Sequence, residues 1–308
     1  MPRPPASPAP PLAPPPALPP GAADARECFA AIARACAAEV LEAAELPGLG
    51  EDPEHLHRLR VAIRRARAAL SLFRVATQEN RRLPLARELR RLQRRLGAAR
   101  EWDVLVDETL AALPPSLRAR PAAGALVRLA SIRREEGRKE VRAALGRPDS
   151  VAALRRLAAW PGRHLGAVPR GPWRLDVLAE PAARVAAQVL EEHHRKAAKL
   201  GRKLKRLDTP ALHRLRIRVK KLRYAAEFLA PHAPGRGTKR YLAALRDVQQ
   251  ALGTWHDFAI AEARLAALHP AGAAPLADWL AGHEAARREA ARQAWRRFAR
   301  RKRFWDGS

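Results

Sequence analysis

From Gly21 onward, apolar residues return every three to four positions within long Ala-, Leu- and Arg-rich stretches, the spacing of one buried helical face. The pattern predicts helices over Asp24–Glu45, Glu54–Val75, Pro84–Ala112, Ala122–Leu145 and, more briefly, Val151–Trp160. It resumes over Pro181–Leu207, Pro210–Ala230, Lys239–His269 and Ala274–Phe304. Pro53 and Pro210 stand at helix openings, where a missing N–H costs little. Pro- and Gly-bearing stretches at Leu46–Pro53, Pro161–Pro172 and Pro231–Gly237 mark connections. Nothing alternates as a strand, so the expected fold class is all-α. The start is different: eleven of the first 20 residues are proline. Residues 1–22 therefore read as a disordered or polyproline-like tail, with no unbroken apolar run for a signal peptide, ahead of a helical domain over 23–308.

The helical part repeats itself. His57-Arg-Leu-Arg-Val-Ala-Ile-Arg-Arg-Ala-Arg67 returns as His213-Arg-Leu-Arg-Ile-Arg-Val-Lys-Lys-Leu-Arg223, displaced by 156 positions. The same displacement carries Leu89, Arg90, Gln93, Leu96 and Gly97 onto Leu245, Arg246, Gln249, Leu252 and Gly253 without a gap. Two tandem four-helix-bundle repeats, at about 23–165 and 173–308, are the simplest source of a register held across two helices and their connection.

On a helical wheel with His57 at the origin, Arg60, Arg64 and Arg67 fall within roughly 280–340°, while Leu59, Ile63, Ala66, Leu70 and Phe73 take roughly 160–240°. One face packs inward and the other carries a row of cations about 15 Å long. His213, Arg216, Lys220 and Arg223 repeat that row, backed by Leu215, Val219 and Leu222. Guanidinium groups make bidentate, charge-assisted hydrogen bonds to phosphate oxygens, and spacing them a turn apart suits a ligand with repeated anionic units. Two such helices face to face would form a cationic groove or pore.

Bulk charge points the same way. Across 308 residues, 59 Lys and Arg oppose 31 Asp and Glu, a formal net charge of +28. A polyanionic partner is expected. Aromatic residues are only 5%, against a stacking platform for single-stranded nucleic acid. No apolar run reaches the roughly 18 residues of a spanning helix, so no membrane role is expected. Cys28 and Cys36, eight positions apart on one predicted helix, are too far apart to pair, and a reducing cytoplasmic setting follows. Neither metal-ligand spacing nor a phosphate-cradling glycine loop occurs, so no cofactor or integral metal is expected.

The segments DPEHLHRLRVAIRRARAALSLFR and TPALHRLRIRVKKLRYAAEFLAP resemble the two signature helices of the CHAD domain (conserved histidine α-helical domain) family. LQRRLGAAREWDV and LRDVQQALGTWHD are similar to its Leu-Gly turns, and WLAGHEAARREAARQAWRRFARRKRFW to its last helix. The resemblance covers Ala23–Trp305 and implies two four-helix repeats around a basic central pore that binds long-chain inorganic polyphosphate without catalysis. Position by position, it puts the family's histidines at His57 and His213. Its phosphate-facing cations fall at Arg60, Arg64, Arg67, Arg216, Lys220 and Arg223, with Arg90 and Arg246 contributing from the next helix. Arg94, Lys199 and Arg202 are further, weaker matches. Glu101 stands where the family has Asp, and the first entry helix is poorer in cations than Ala187–Leu207, which implies an asymmetric pore. The ExExK strand pattern of the triphosphate tunnel enzymes that often accompany this domain does not occur, so the chain reads as the helical module alone.

Glu101, Asp103, Asp257 and Glu227 are expected to hold the cation rows in place as salt-bridge partners. His55, His164, His193, His194, His232, His256, His269 and His283 are expected at the surface or as caps, and Trp160, Trp279, Trp295 and Trp305 as packing anchors. The expected role is therefore polyphosphate binding in the cytoplasm, with recruitment to polyphosphate granules. Nonspecific nucleic-acid binding is the alternative.

Overall fold

The computed structural model describes residues 24–46, 52–72, 79–164, 177, 179–268, 276 and 278–306. The proline-rich start, Phe73, Val75, His269, Ala274 and the connection 165–176 lie outside the described residues. The fold is all-α. An isolated bridge pairs Asp24 with Pro181, where Ala25 N–H donates to the Glu180 carbonyl at 3.0 Å. That bridge ties the start of the first helix to the start of its repeat-equivalent.

Helix α1 (Ala25–Ala44) is capped by Asp24, whose side chain accepts from Glu27 N–H. It packs along α2 (Pro53–Leu72), the first basic helix. Next comes α3 (Glu79–Arg95), which starts earlier than the sequence suggests and carries Pro84 inside its first turns. The single helix expected over Pro84–Ala112 is broken. It stops at Leu96, restarts as α4 (Gly97–Val104), and widens into a π-helical turn over Leu105–Leu110. A short α5 (Pro115–Arg118), a long α6 (Pro121–Gly146) and α7 (Pro148–His164) complete this half.

The second half repeats the plan with α8 (Ala182–Gly201), α9 (Thr209–Leu229), α10 (Arg236–Leu268) and α11 (Glu284–Ala299). Asp52 and Asp208, 156 positions apart, each open a basic helix by accepting from a backbone N–H two or three residues on, at 2.8 and 2.7 Å. Unlike α3–α4, α10 runs unbroken through Gly253.

One large apolar core draws on both halves, from Phe29, Ile63 and Leu89 to Val219, Leu245 and Phe298. A smaller one, centred on Leu110, Leu126 and Leu265, joins the π-helical turn and α6 to α10. Trp160, Trp295 and Trp305 are buried, and Trp279 packs against the smaller core. Trp160 belongs to α7, which covers α1 and α3; the equivalent flank of the second half is closed by Trp305, whose ring stands edge-on to Tyr241 at 5.2 Å. Burying one apolar stripe of each basic helix fixes its rotation, so the cationic stripe cannot turn inward or away.

Candidate anion-binding site

Helices α2 and α9 touch, and their cationic faces meet at one cavity of about 370 Å³. His57, Arg60 and Arg64 line it from α2, and Arg216 and Lys220 from α9. Direct contact across the helices is made by Arg64, whose Nε donates to the Tyr224 hydroxyl at 3.0 Å. Tyr224 is buried, and the Arg223 guanidinium lies over its ring at 4.6 Å. Burial raises the Tyr224 phenol, but the Arg64 and Arg223 charges outweigh it and bring it below its ordinary value.

The rows continue past the cavity but change role. Arg67 donates to Gln93, and Arg223 donates to Gln249 and pairs with Glu227. The two Arg–Gln bonds are clamps between successive helices, the Glu227 pair lies within α9, and Gln249 itself lines the cavity. His213 sits one step outside, on an adjoining hollow, with its ring 4.9 Å from that of His256. Arg90, Arg94 and Arg246 are exposed on α3 and α10 and are not brought to the cavity. Lys199 is exposed on α8 and Arg202 lines a different, outer groove, because the last turn of α8 packs against α11 rather than α2.

Three ionisable cavity residues escaped the sequence reading: Arg100, its partner Glu108 at 3.0 Å, and His256. Arg100 and His256 both line the cavity, so His256 is not the surface or capping residue expected. His194 departs likewise, packed among Tyr241, Phe298 and Trp305. The repeat held the missing signal, since Arg100 and His256 are separated by the same 156 positions as the two rows. The acidic residues divide similarly. Asp257 pairs with the row residue Arg216 at 3.6 Å, and Glu227 with Arg223. Asp103 instead bonds Arg138 at 3.3 Å, and Glu101 bonds Arg264, neither of which belongs to a row.

Crowding like charges in a partly dry cavity costs free energy, and the ionisable groups register it. Burial, reinforced by Arg216 and Arg64, pushes Lys220 down to about 6. Burial and the neighbouring Arg100, Arg64 and Arg60 push His57 to about 4, and burial with Arg216 does the same to His256. Even Arg60 is lowered, to about 10, by burial and Arg64. The cavity is thus a preformed, predominantly cationic surface, only partly offset by Glu108 on Arg100 and Asp257 on Arg216. Among the described residues, no group of three His, Cys, Asp or Glu side chains is placed to hold a metal. No helix there is long and apolar enough to cross a membrane.

The crystal structure of the CHAD domain from the plant Ricinus communis is similar, with a TM-score of 0.74 and 27% identity over 89% of this chain and 92% of that one. PptA from Streptomyces chartreusis shares the fold, at a TM-score of 0.69 and 20% identity over 89% of this chain and 99% of its own. No curated protein matches significantly. The CHAD domain family profile matches residues 30–266, which take in both basic helices and the cavity between them. The chain belongs to the CHAD domain family.

Proposed function

We propose that this protein binds long-chain inorganic polyphosphate in the cavity between α2 and α9, which serves as the basic pore of the domain. Binding entails no chemical turnover, and it recruits the protein to polyphosphate granules in the cytoplasm. One observation carries this reading: Arg60, Arg64, Arg100, Arg216 and Lys220, drawn from both repeats, face a single cavity. A bare phosphate chain supplies closely spaced monoanionic units with acceptor oxygens and no bases to accommodate. It also supplies negative charge beside Lys220, His57 and His256, which burial and the neighbouring cations hold below their ordinary values. A cavity of about 370 Å³ suits a thin unbranched chain far better than a duplex.

The deciding measurement is calorimetric titration of the full chain with long-chain polyphosphate at near-physiological salt, with DNA as competitor. Polyphosphate should displace DNA, and the reverse exchange should fail. Neutralising five phosphates gives log K against log salt a slope of about −3.5, on the scale of single-stranded polyanions. Replacing Arg64, Arg67, Lys220 and Arg223 together by Ala should remove the cavity's share of the binding while circular dichroism still reports a helical protein. Normal polyphosphate binding by that variant would overturn the proposal, and preferential retention of DNA would favour the nucleic-acid reading. Free phosphate appearing on incubation with polyphosphate and a divalent metal would overturn the absence of turnover.

A further inference from the structure

The residue Arg202, which the sequence associates with the central site, lines an outer groove between the end of α8 and α11. Its volume is about 320 Å³. Along one wall stand Arg292, Arg296 and Arg300, spaced four residues apart, a row about 12 Å long if helical geometry is extended. Arg202 and Lys205 form the opposite wall. The floor is Trp295, seated on Gly201: a Cβ at that glycine would lie 1.8 Å from the indole. Only glycine permits this approach, and it brings α11 close enough for the two cationic walls to face each other.

We propose that this groove is a second phosphate-polymer site, separate from the cavity between α2 and α9, with which it shares no lining residue. The inference rests on the polyphosphate reading for the identity of the ligand only. Glu289 partly occupies Arg292 and Arg296, at 3.5 and 3.7 Å. Arg202, Lys205 and Arg300 have no ion-pair partner among the described residues. A cation at the end of α8 complements the helix dipole, but that accounts for Arg202 and not for the facing row. The groove's chemistry also disfavours other polyanions. Trp295 is only 7% exposed and offers no face on which a base could stack. Among the described residues no large apolar side chain projects from the groove as a lipid anchor; those exposed are Ile132 and Ile217, elsewhere. Repeated cations on two walls over a closed floor fit a chain of phosphates.

The test compares three versions of the full-length protein titrated with long-chain polyphosphate. One carries Arg202→Glu, Arg296→Glu and Arg300→Glu. A control carries Lys139→Glu, Arg155→Glu and Arg240→Glu, the same change in net charge at exposed positions away from the groove. The groove variant should lose about tenfold in affinity, together with one class of sites in the stoichiometry, while the control loses no more than about twofold. Equal losses in the two variants, or none in the groove variant, would overturn the proposal. So would a groove variant that loses DNA or anionic-vesicle binding but keeps polyphosphate binding intact. Adding the groove substitutions to Arg64→Ala and Lys220→Ala separates the two sites. Residual saturable binding in that cavity variant should vanish with the groove charges. Normal binding by the cavity variant would refute the cavity reading alone, leaving the groove to be judged against its control.

Discussion

Helices α2 and α9 follow one plan and arrive at different electrostatics. Both start from an aspartate cap, and both clamp their last row arginine to a glutamine 26 positions on, Arg67 to Gln93 and Arg223 to Gln249. In the first half the next helix breaks, and the Leu96 and Gly97 carbonyls at the break accept from Arg60 at 3.1 and 2.9 Å. The uninterrupted α10 offers no such carbonyls, and Arg216 pairs with Asp257 instead. Where α2 has Arg64, α9 has Lys220, and a lysine loses its proton at a pH where a guanidinium does not. The two copies share a backbone plan, but a few different neighbours leave α2 with a guanidinium at this position and α9 with a lysine pushed down to about 6.

The largest expected effect tests that asymmetry. Arg64→Ala removes a fixed cation and leaves the buried Tyr224 hydroxyl without the guanidinium donor it accepts from. At about pH 8 it should weaken polyphosphate binding about 50-fold, more than 2 kcal/mol. Lys220→Ala, removing an amine already largely neutral there, should cost less than about fivefold. Titration calorimetry of the two variants at one salt concentration measures the ratio. Equal losses would mean that the copies contribute alike.

The next effect is a pH dependence confined to the second copy. Lys220, ordinarily near 10.5, sits at about 6 in the empty cavity. Above that value the amine is neutral, and a bound phosphate raises its pKa by favouring the ammonium form. Binding therefore takes up a proton, and affinity should rise, by about fivefold, as pH falls from about 8 to 6, flattening below. Internal phosphate units keep their single charge throughout this range, so the change belongs to the protein. His57 and His256, both at about 4 in the empty cavity, add further uptake only below the values to which a bound phosphate raises them. Calorimetry in two buffers of different ionisation enthalpy reads the uptake near pH 7, and Lys220→Arg should abolish it while preserving affinity.

Much of this was legible in the chain. Period and repeat give the all-α class, the two rows and their burial-fixed orientation, because a helix wheel depends only on local geometry. What escaped depends on contacts between helices. Arg100 and His256 come from elements following the rows, and only the packing of α4 and α10 against α2 and α9 turns them inward. Lys199 and Arg202 are cations at helical spacing like the others, yet the pairing of Gly201 with Trp295 carries the end of α8 to the outside. The break at Leu96 and the π-helical turn at Leu105–Leu110 carry no local signal, since the same Leu-Gly pair at Leu252–Gly253 lies inside an unbroken helix.

A smaller gain is expected from the acidic partner of the second copy. Asp257 faces the cavity and offsets Arg216, and burial already raises its carboxyl above the ordinary value despite Arg216 and Lys220. Asp257→Asn removes an anion that competes with the ligand and should tighten polyphosphate binding about threefold at moderate salt. Weaker binding would show that the pair positions Arg216 more than it neutralises it.

The smallest effect separates the two Leu-Gly pairs. A Cβ at Gly97 or at Gly253 would meet no atom within 4 Å, so neither glycine is required by packing, and neither adopts the left-handed backbone that would exclude alanine. Gly253 lies deep within α10, and Gly253→Ala should gain about 1 kcal/mol from helix propensity. Gly97 is the first residue of α4, where the gain is less. The difference for function lies in what the empty space is. Gly253 lines the cavity and Gly97 does not, so the added methyl of Gly253→Ala points into room that the phosphate chain needs. Gly253→Ala should thus raise the melting temperature by about 2 °C while lowering polyphosphate affinity about twofold. Gly97→Ala should leave affinity unchanged, because the Gly97 carbonyl that holds Arg60 is backbone and survives the substitution. A stabilised Gly253→Ala protein with undiminished binding would mean that the chain passes along the α2 side of the cavity, and that the second copy serves chiefly to close it.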